Sequence, residues 1–344
     1  MRLVDGLARP TLLVGSFPYK TAQETLSVAG PALAGFARRL TDGEAQGWTR
    51  FAGKFLAQAE ALELDDHWLD VPDRPLQQYR LRAGRSARDL AFPPAGYGDL
   101  VAQSYAVFSN LRAQGRIAPG TRFQQSLPTP FGVVAMFVRP HDIEAVLPHY
   151  QKALFAEVDD IVSRVPHGDL ALQWDIALEV VAAIEGHTPG LLDIFPMERL
   201  AELVAAAADH VPAGVEIGLH FCYGNPGGKH IIEPRDLGNL VSFCNLIATE
   251  TRRPLTWVHM PVPIARDDEP YFAALRDLRL PEATEFYLGL VHLADGIDGG
   301  TRRVVAAQRA RQNFGVATEC GFRYVSPDAV PRLLDLHRQM GFLA

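Results

Sequence analysis

The sequence has few cysteines, no excess of positive charge and no long apolar run, and each shortage argues against a class of protein. Cys222, Cys244 and Cys320 are the only cysteines in 344 residues, too sparse a set for the disulfide framework of a secreted protein. A formal net charge of −7 argues against nucleic acid as a partner, because phosphate binding needs a basic face. No apolar run approaches the ~20 residues of a membrane span, and the N-terminus lacks a signal peptide's apolar region. These shortages favour a cytoplasmic enzyme.

What the sequence does contain is a recurring unit of a short apolar run, a turn and an amphipathic stretch. In the stretch 197–211, for example, apolar residues recur at every third or fourth position, which is typical of a helix with one buried face. Strands that alternate with helices predict a (β/α)8 TIM barrel of the α/β class, and we expect residues 1–344 to form a single barrel. A doubly wound sheet is the alternative, but no G-x-G-x-x-G follows the first run. The candidate strands are residues 11–17, 77–83, 121–127, 170–176, 215–222, 255–262, 286–293 and 314–320.

Polar residues collect at the ends of these candidate strands, where a TIM barrel places its chemistry. They are Ser16, Asp175, His220, Cys222, His259, His292, Asp295 and Cys320. His220 and Cys222 are two residues apart, so they point to the same side of a strand. A histidine nitrogen and two cysteine thiolates suit zinc, and the fifth and eighth strands of a barrel reach the same mouth. The sequence therefore predicts a zinc site of His220, Cys222 and Cys320, with a packed cysteine and a hydrogen-bonded histidine as the alternative.

Five short motifs strengthen this prediction, because their order along the chain matches that of a known family. They are "VGSFP" (14–18), "DGEAQGWTRF" (42–51), "QWDIALE" (173–179), "LHFCYGN" (219–225) and "TECGFR" (318–323). In this order they resemble the C-terminal catalytic barrel of cobalamin-independent methionine synthase, in the superfamily that also holds uroporphyrinogen decarboxylase. The resemblance implies that Ser16, Glu44 and Asp175 hold an amino-acid substrate. It also implies that the H-x-C pair and the last cysteine bind zinc.

The sequence departs from this family at two places. The family has a glutamate as fourth zinc ligand at the end of the next strand, where this chain has His259 after an inserted loop, 224–234. His259 replaces the glutamate, Glu233 reaches in from the insertion, or the zinc has three protein ligands. The tryptophan that stacks on folate in the family is also missing, and Phe131 stands in that region. The methyl donor is therefore a folate, a corrinoid protein or a methylated small molecule.

These features together predict a zinc-dependent methyl or alkyl transferase that acts on a small thiol such as homocysteine. A free thiol has a pKa of ~8.5, and coordination to zinc deprotonates it. Asp175 and Glu44 suit an ammonium group, although Glu44 is equally suited to the start of a helix. His292 and Asp295 form a candidate acid/base pair. The alternatives are a metal-independent decarboxylase or lyase of the same superfamily, with arginines at the mouth, and a non-catalytic zinc-binding protein.

Overall fold

The computed structural model describes residues 6, 8–45, 52, 55–70 and 75–343. Over these residues, eight parallel strands form a nearly closed barrel with helices between them, which confirms the predicted (β/α)8 fold. Their order around the barrel is β1-β10-β9-β8-β7-β6-β5-β2. The barrel strands are Thr11–Leu12 (β1), Arg39–Thr41 (β2), Arg122–Pro128 (β5), Leu170–Ile176 (β6), Glu216–Phe221 (β7), Trp257–Pro261 (β8), Glu285–Val291 (β9) and Gly315–Thr318 (β10).

Helices pack around this barrel, joined by short 3₁₀ turns and one π-helical segment, Glu179–Ile184. Among the described residues, no helix is long and apolar enough to cross a membrane. The α-helices are Ala22–Ala32 (α1), Tyr97–Ala113 (α2), Pro130–Phe137 (α3), Ile143–Arg164 (α4), Leu191–Ile194 (α5), Met197–His210 (α6), Gly238–Glu250 (α7), Glu269–Phe272 (α8), Gly296–Gln308 (α9) and Val330–Gly341 (α10).

The second barrel strand is not the one predicted from the sequence. Residues 77–83 fall largely in β4 (Leu76–Leu81), which pairs antiparallel with β3 (Leu62–Leu69) in a separate two-stranded sheet. The barrel instead uses β2, from a stretch whose apolar spacing indicates a helix. That helix ends at Ala32, and Gly35 then turns the chain with a φ of +81°. A three-residue strand is too short to show an alternating pattern.

A buried ion cluster closes the N-terminal end of the barrel. Arg39 is 1% exposed at its side chain and contacts Glu216 at 2.5 Å and Glu285 at 2.8 Å, each at the start of its own strand. Its guanidinium lies 4.2 Å from the centre of the Trp257 ring. Buried charges that are fully paired in this way hold strands together rather than bind ligands. The open end of the barrel is therefore the C-terminal one.

The strand register brings several polar side chains to one level near that open end. Asp175 on β6 is paired with His220 on β7, His220 with His259 on β8, and His259 with Tyr287 on β9. Residues at the same level of neighbouring parallel strands point in the same direction, here into the barrel. Apolar side chains also fill the barrel interior, where one cluster consists of Leu12, Val14, Ala171, Trp257, Tyr287 and Ala317.

Candidate metal centre and substrate site

The structure brings His220, Cys222 and Cys320 together at the open end of the barrel. His220 lies in β7, Cys222 follows that strand, and Cys320 follows β10. One donor atom from each residue lies within 4.8 Å of the others, and the two sulfur atoms are 3.9 Å apart. Two sulfurs on one tetrahedral zinc, with bonds of about 2.3 Å, lie about 3.8 Å apart. The donor types and their spacing therefore fit a zinc ion.

The two thiols affect one another's ionisation. The hydrogen bond between Cys222 and Cys320 lowers the pKa of the Cys320 thiol, and it raises the pKa of the Cys222 thiol. The backbone of Gly321 and the side chain of Asn225 also favour the Cys320 thiolate. Asn225 belongs to the inserted loop and is a contact that the sequence did not indicate. The sulfur of Cys320 is thus the more readily ionised of the two, and a cysteine must be ionised to bind a metal.

His259 lies beside His220, and both of its ring nitrogens have protein partners, so its role as a fourth zinc ligand stays a prediction. Its Nε2 is 3.1 Å from the carbonyl oxygen of Thr318, and its Nδ1 is 2.8 Å from Nδ1 of His220. A carbonyl can only accept, so Nε2 of His259 donates and its Nδ1 is the acceptor. Burial lowers the pKa of His259 to about 3, so the ring is neutral.

This arrangement sets the tautomer of His220. The contact between the two Nδ1 atoms needs one proton, and His259 has none on that nitrogen, so His220 donates from Nδ1. The lone pair of His220 is then on Nε2. A second-sphere partner that fixes the ring orientation and tautomer of a ligand histidine is the usual companion of protein metal sites.

The alternative fourth ligand, Glu233, also lies elsewhere. Its side chain is 75% exposed and accepts from Nδ1 of His230 at 2.8 Å. The other ring nitrogen of His230 lies 2.7 Å from Glu319, the residue before Cys320. Burial works against a charge on His230, but Glu319 and Glu233 outweigh it and raise the pKa of His230 to about 9. This ion pair ties the inserted loop to the strand end that carries Cys320.

The substrate residues predicted from the resemblance lie beside this centre. Asp175 accepts from Nε2 of Gln173 at 2.9 Å, and it is close enough to both thiols to influence their ionisation. Glu44 is close enough to Asp175 that burial and the negative charge of Asp175 raise the pKa of Glu44 well above normal. The backbone oxygen of Ser16 accepts from Phe322 N at 2.5 Å, two residues beyond Cys320.

A tight turn after β2 brings Glu44 to this position. Gly43 N donates to Oγ1 of Thr41 at 3.1 Å, and Glu44 N donates to Oδ1 of Asp42 at 3.0 Å. Glu44 has a φ of +50°, a conformation that is uncommon for residues other than glycine. Strained positions of this kind cluster at functional sites. The remainder of the motif, 46–51, lies outside the described residues.

Solved structures with the same architecture include enzymes of methyl transfer. A B12-independent methionine synthase from a Shewanella species, in complex with selenomethionine, matches with a TM-score of 0.61 and 14% sequence identity, over 97% of each chain. The chain shares the fold of this synthase. A methyltransferase from Methanosarcina mazei matches with a TM-score of 0.58 and 12% identity, over 98% of this chain and 94% of that one. No family model matches the sequence, and no curated protein matches it.

Phe131 and the remaining cysteine, Cys244, lie in the core. Phe131 is 1% exposed and packs against Phe195, with ring centres 5.0 Å apart, so its ring is not open to a ligand. Cys244 is fully buried in α7, and burial raises its pKa to about 12. Cys244 is therefore an inert core residue.

The candidate acid/base pair has other partners in the structure. Asp295 holds the guanidinium of Arg303 through two hydrogen bonds of 2.7 and 2.8 Å. Arg303 is completely buried. His292 has its Nε2 2.8 Å from the carbonyl oxygen of Val262, and burial lowers its pKa. The Asp295–Arg303 pair joins the start of α9 to its second turn, His292 contacts the segment after β8, and an acid/base role for the two residues stays a prediction.

Glu179 is a buried carboxyl group that sequence reasoning missed. It opens the π-helical segment after β6 and is 0% exposed. The hydroxyl of Thr129 donates to it, and Thr129 in turn caps α3 by accepting from Gly132 N at 3.0 Å. Burial raises the pKa of Glu179 to about 7. A lone glutamate in an apolar stretch gives no local signal that its carboxyl group is buried.

Proposed function

We propose that the chain is a zinc-dependent methyltransferase whose acceptor is a small thiol that carries an ammonium group. The observation that carries this proposal is the placement of His220, Cys222 and Cys320 beside two carboxyl groups, Asp175 and Glu44, at one barrel mouth. Zinc held by the three residues would keep the substrate thiol ionised at neutral pH. The likeness to the fold of methyltransferases supports the same reaction class.

The chain's own residues would bind and orient the acceptor. An ammonium group between Asp175 and Glu44 would form charge-assisted hydrogen bonds with both carboxylates. Such a cation would also relieve the repulsion that raises the pKa of Glu44. A thiol attached to it through a short chain would then reach the centre, because both carboxyl groups lie close enough to Cys320 to act on its charge. Homocysteine has these groups.

The acidic mouth argues against the decarboxylase alternative. A decarboxylase of this superfamily would need arginines to hold substrate carboxylates. Arg303 is buried and bound to Asp295, while Arg323 donates to the backbone oxygen of Glu44 at 2.9 Å. Asp175 and Glu44 lie close enough to the thiols to act on their charge, and as carboxylates they would repel an anionic substrate. A non-catalytic zinc-binding protein, in turn, would not need these groups.

Metal analysis of matched cysteine variants tests the zinc site. We expect about one zinc per chain in the wild type, most of it lost in Cys320→Ser. In Cys244→Ser the zinc should be retained, because that thiol is buried elsewhere. Equal zinc content in both variants would refute the proposed ligands. Asp175→Asn should keep its zinc but bind homocysteine at least about tenfold more weakly, because one charge-assisted contact is lost. Unchanged binding would refute the substrate role.

A further inference from the structure

A cavity of about 270 Å³ lies between the start of α1, one face of α2 and the ends of β2 and β5. Leu100, Val101 and Val107 of α2 form its apolar side. Glu44 and Ser126 also line it, so the cavity adjoins the proposed acceptor site at the shared carboxyl group of Glu44. A pocket with apolar walls and a few polar groups is the usual form of a small-molecule site.

Two of the side chains that line this cavity, Asp42 and Gln125, present buried hydrogen-bond acceptors. Asp42 lines it and is 9% exposed, and among the described residues no basic side chain forms an ion pair with it. Gln125 lines it as well and is 7% exposed. The amide nitrogen of Gln125 donates to the backbone oxygen of Ser126 at 3.3 Å, but its Oε1 is buried and has no hydrogen-bond partner among the described residues. A buried acceptor without a donor is costly, and a ligand with polarised C–H groups can supply a weak contact to it.

The charge around the cavity is unbalanced. Burial raises the pKa of the Asp42 carboxyl, and it raises the pKa of Glu44 together with the negative charges of Asp175 and Asp42. Arg323 opposes this effect on Glu44 but makes its contact with a backbone oxygen. Lys20, at the rim of the cavity, is exposed. The proposed acceptor brings one ammonium group, which serves Glu44 and Asp175, so Asp42 has no cationic partner within the part of the chain that the structure describes.

We infer that this cavity binds the cationic head of the methyl donor, an ammonium or sulfonium compound. The inference rests on the proposed function for the methyl-transfer step, but not for the binding itself. In that step the thiolate sulfur forms a bond to the donor's methyl carbon, and the bond from that carbon to nitrogen or sulfur breaks. The electron pair stays on the leaving atom, so a neutral amine or sulfide departs. The charge that held the donor near Asp42 disappears with the reaction, which favours release of the product.

Direct binding measurements on the full chain test this site. The probes are tetramethylammonium and trimethylsulfonium, with tert-butanol as a neutral analogue of similar shape, and calorimetry or NMR titration gives each dissociation constant. We expect both cations to bind the wild type, and Asp42→Asn to weaken them at least about tenfold because a buried countercharge is removed. The matched control is Asp335→Asn, at an exposed aspartate of α10, which should bind as the wild type does.

A second variant keeps the test decisive if Asp42→Asn does not fold. Val107→Phe fills the cavity from a partly exposed position on α2 and should also weaken cation binding. Equal affinity for tert-butanol, or unchanged cation binding in both variants, would overturn the inference. The same titration on zinc-depleted Cys320→Ser separates the two proposals. Cation binding that persists in a chain without zinc supports the cavity site, whereas absence of zinc from the wild type overturns the proposed function alone.

Discussion

Replacing His259 by leucine tests whether this residue holds His220 in the form that binds zinc. The change removes two contacts of the imidazole, the 2.8 Å contact with Nδ1 of His220 and the 3.1 Å hydrogen bond to Thr318. Leucine keeps the bulk of the side chain, so the barrel interior stays filled. His220 would then lose the acceptor that keeps its proton on Nδ1 and its lone pair on Nε2.

The expected loss in zinc affinity is intermediate. Removing a second-sphere partner of a ligand histidine typically costs 10–100-fold in metal affinity, which is about 1.4–2.7 kcal/mol. Loss of a ligand such as Cys320 should cost much more. His259→Asn is the rescue variant, because its carboxamide oxygen can stand near the position of Nδ1 and accept from His220. We expect its zinc affinity to lie between those of the wild type and His259→Leu.

Competition with a chromophoric chelator measures the zinc affinity, and the absorption bands of bound Co²⁺ report the ligand geometry. Long-range ¹H–¹⁵N correlation spectra of the metal-free protein show directly which nitrogen of His220 is protonated. His337→Leu is the control, since His337 is equally buried and its Nδ1 donates to the backbone oxygen of Leu333 within its own helix. Unchanged zinc affinity in His259→Leu, or a proton on Nε2 of His220 in the wild type, would refute the reasoning.

Two further substitutions test buried charges outside the metal centre. Glu179 has a pKa of about 7 in the folded chain, against an ordinary value of 4.5. The unfolded chain therefore loses this proton at lower pH, and the free energy of unfolding of the wild type should fall as the pH rises from 4.5 to 7. Glu179→Gln should remove this slope and be more stable at pH 8 by up to about 3 kcal/mol in urea unfolding; parallel pH curves for the two proteins would contradict this. Asp295→Asn should lower the free energy of unfolding by about 3 kcal/mol, since it leaves the buried Arg303 without its carboxylate, while zinc content stays unchanged. Loss of methyl transfer without loss of stability would instead support the acid/base role of Asp295.

The sequence by itself determined the fold class and the main residues of the candidate centre. Strands alternating with helices specify a barrel, and the two-residue period of a strand puts His220 and Cys222 on one side. The return of Cys320 to the same mouth follows from strand order alone. These features are repeated or local, so they can be recognised without knowing what each side chain contacts.

Only the tertiary structure decided the partners of individual side chains. His259 lies at the predicted level, but its role depends on His220 from one neighbouring strand and Thr318 from another part of the barrel. Arg303 is buried because Asp295 is there to pair with it, and β2 is a strand because Arg122–Pro128 offers it hydrogen bonds. These partners come from residues far apart in the chain, and a local sequence pattern does not predict such contacts.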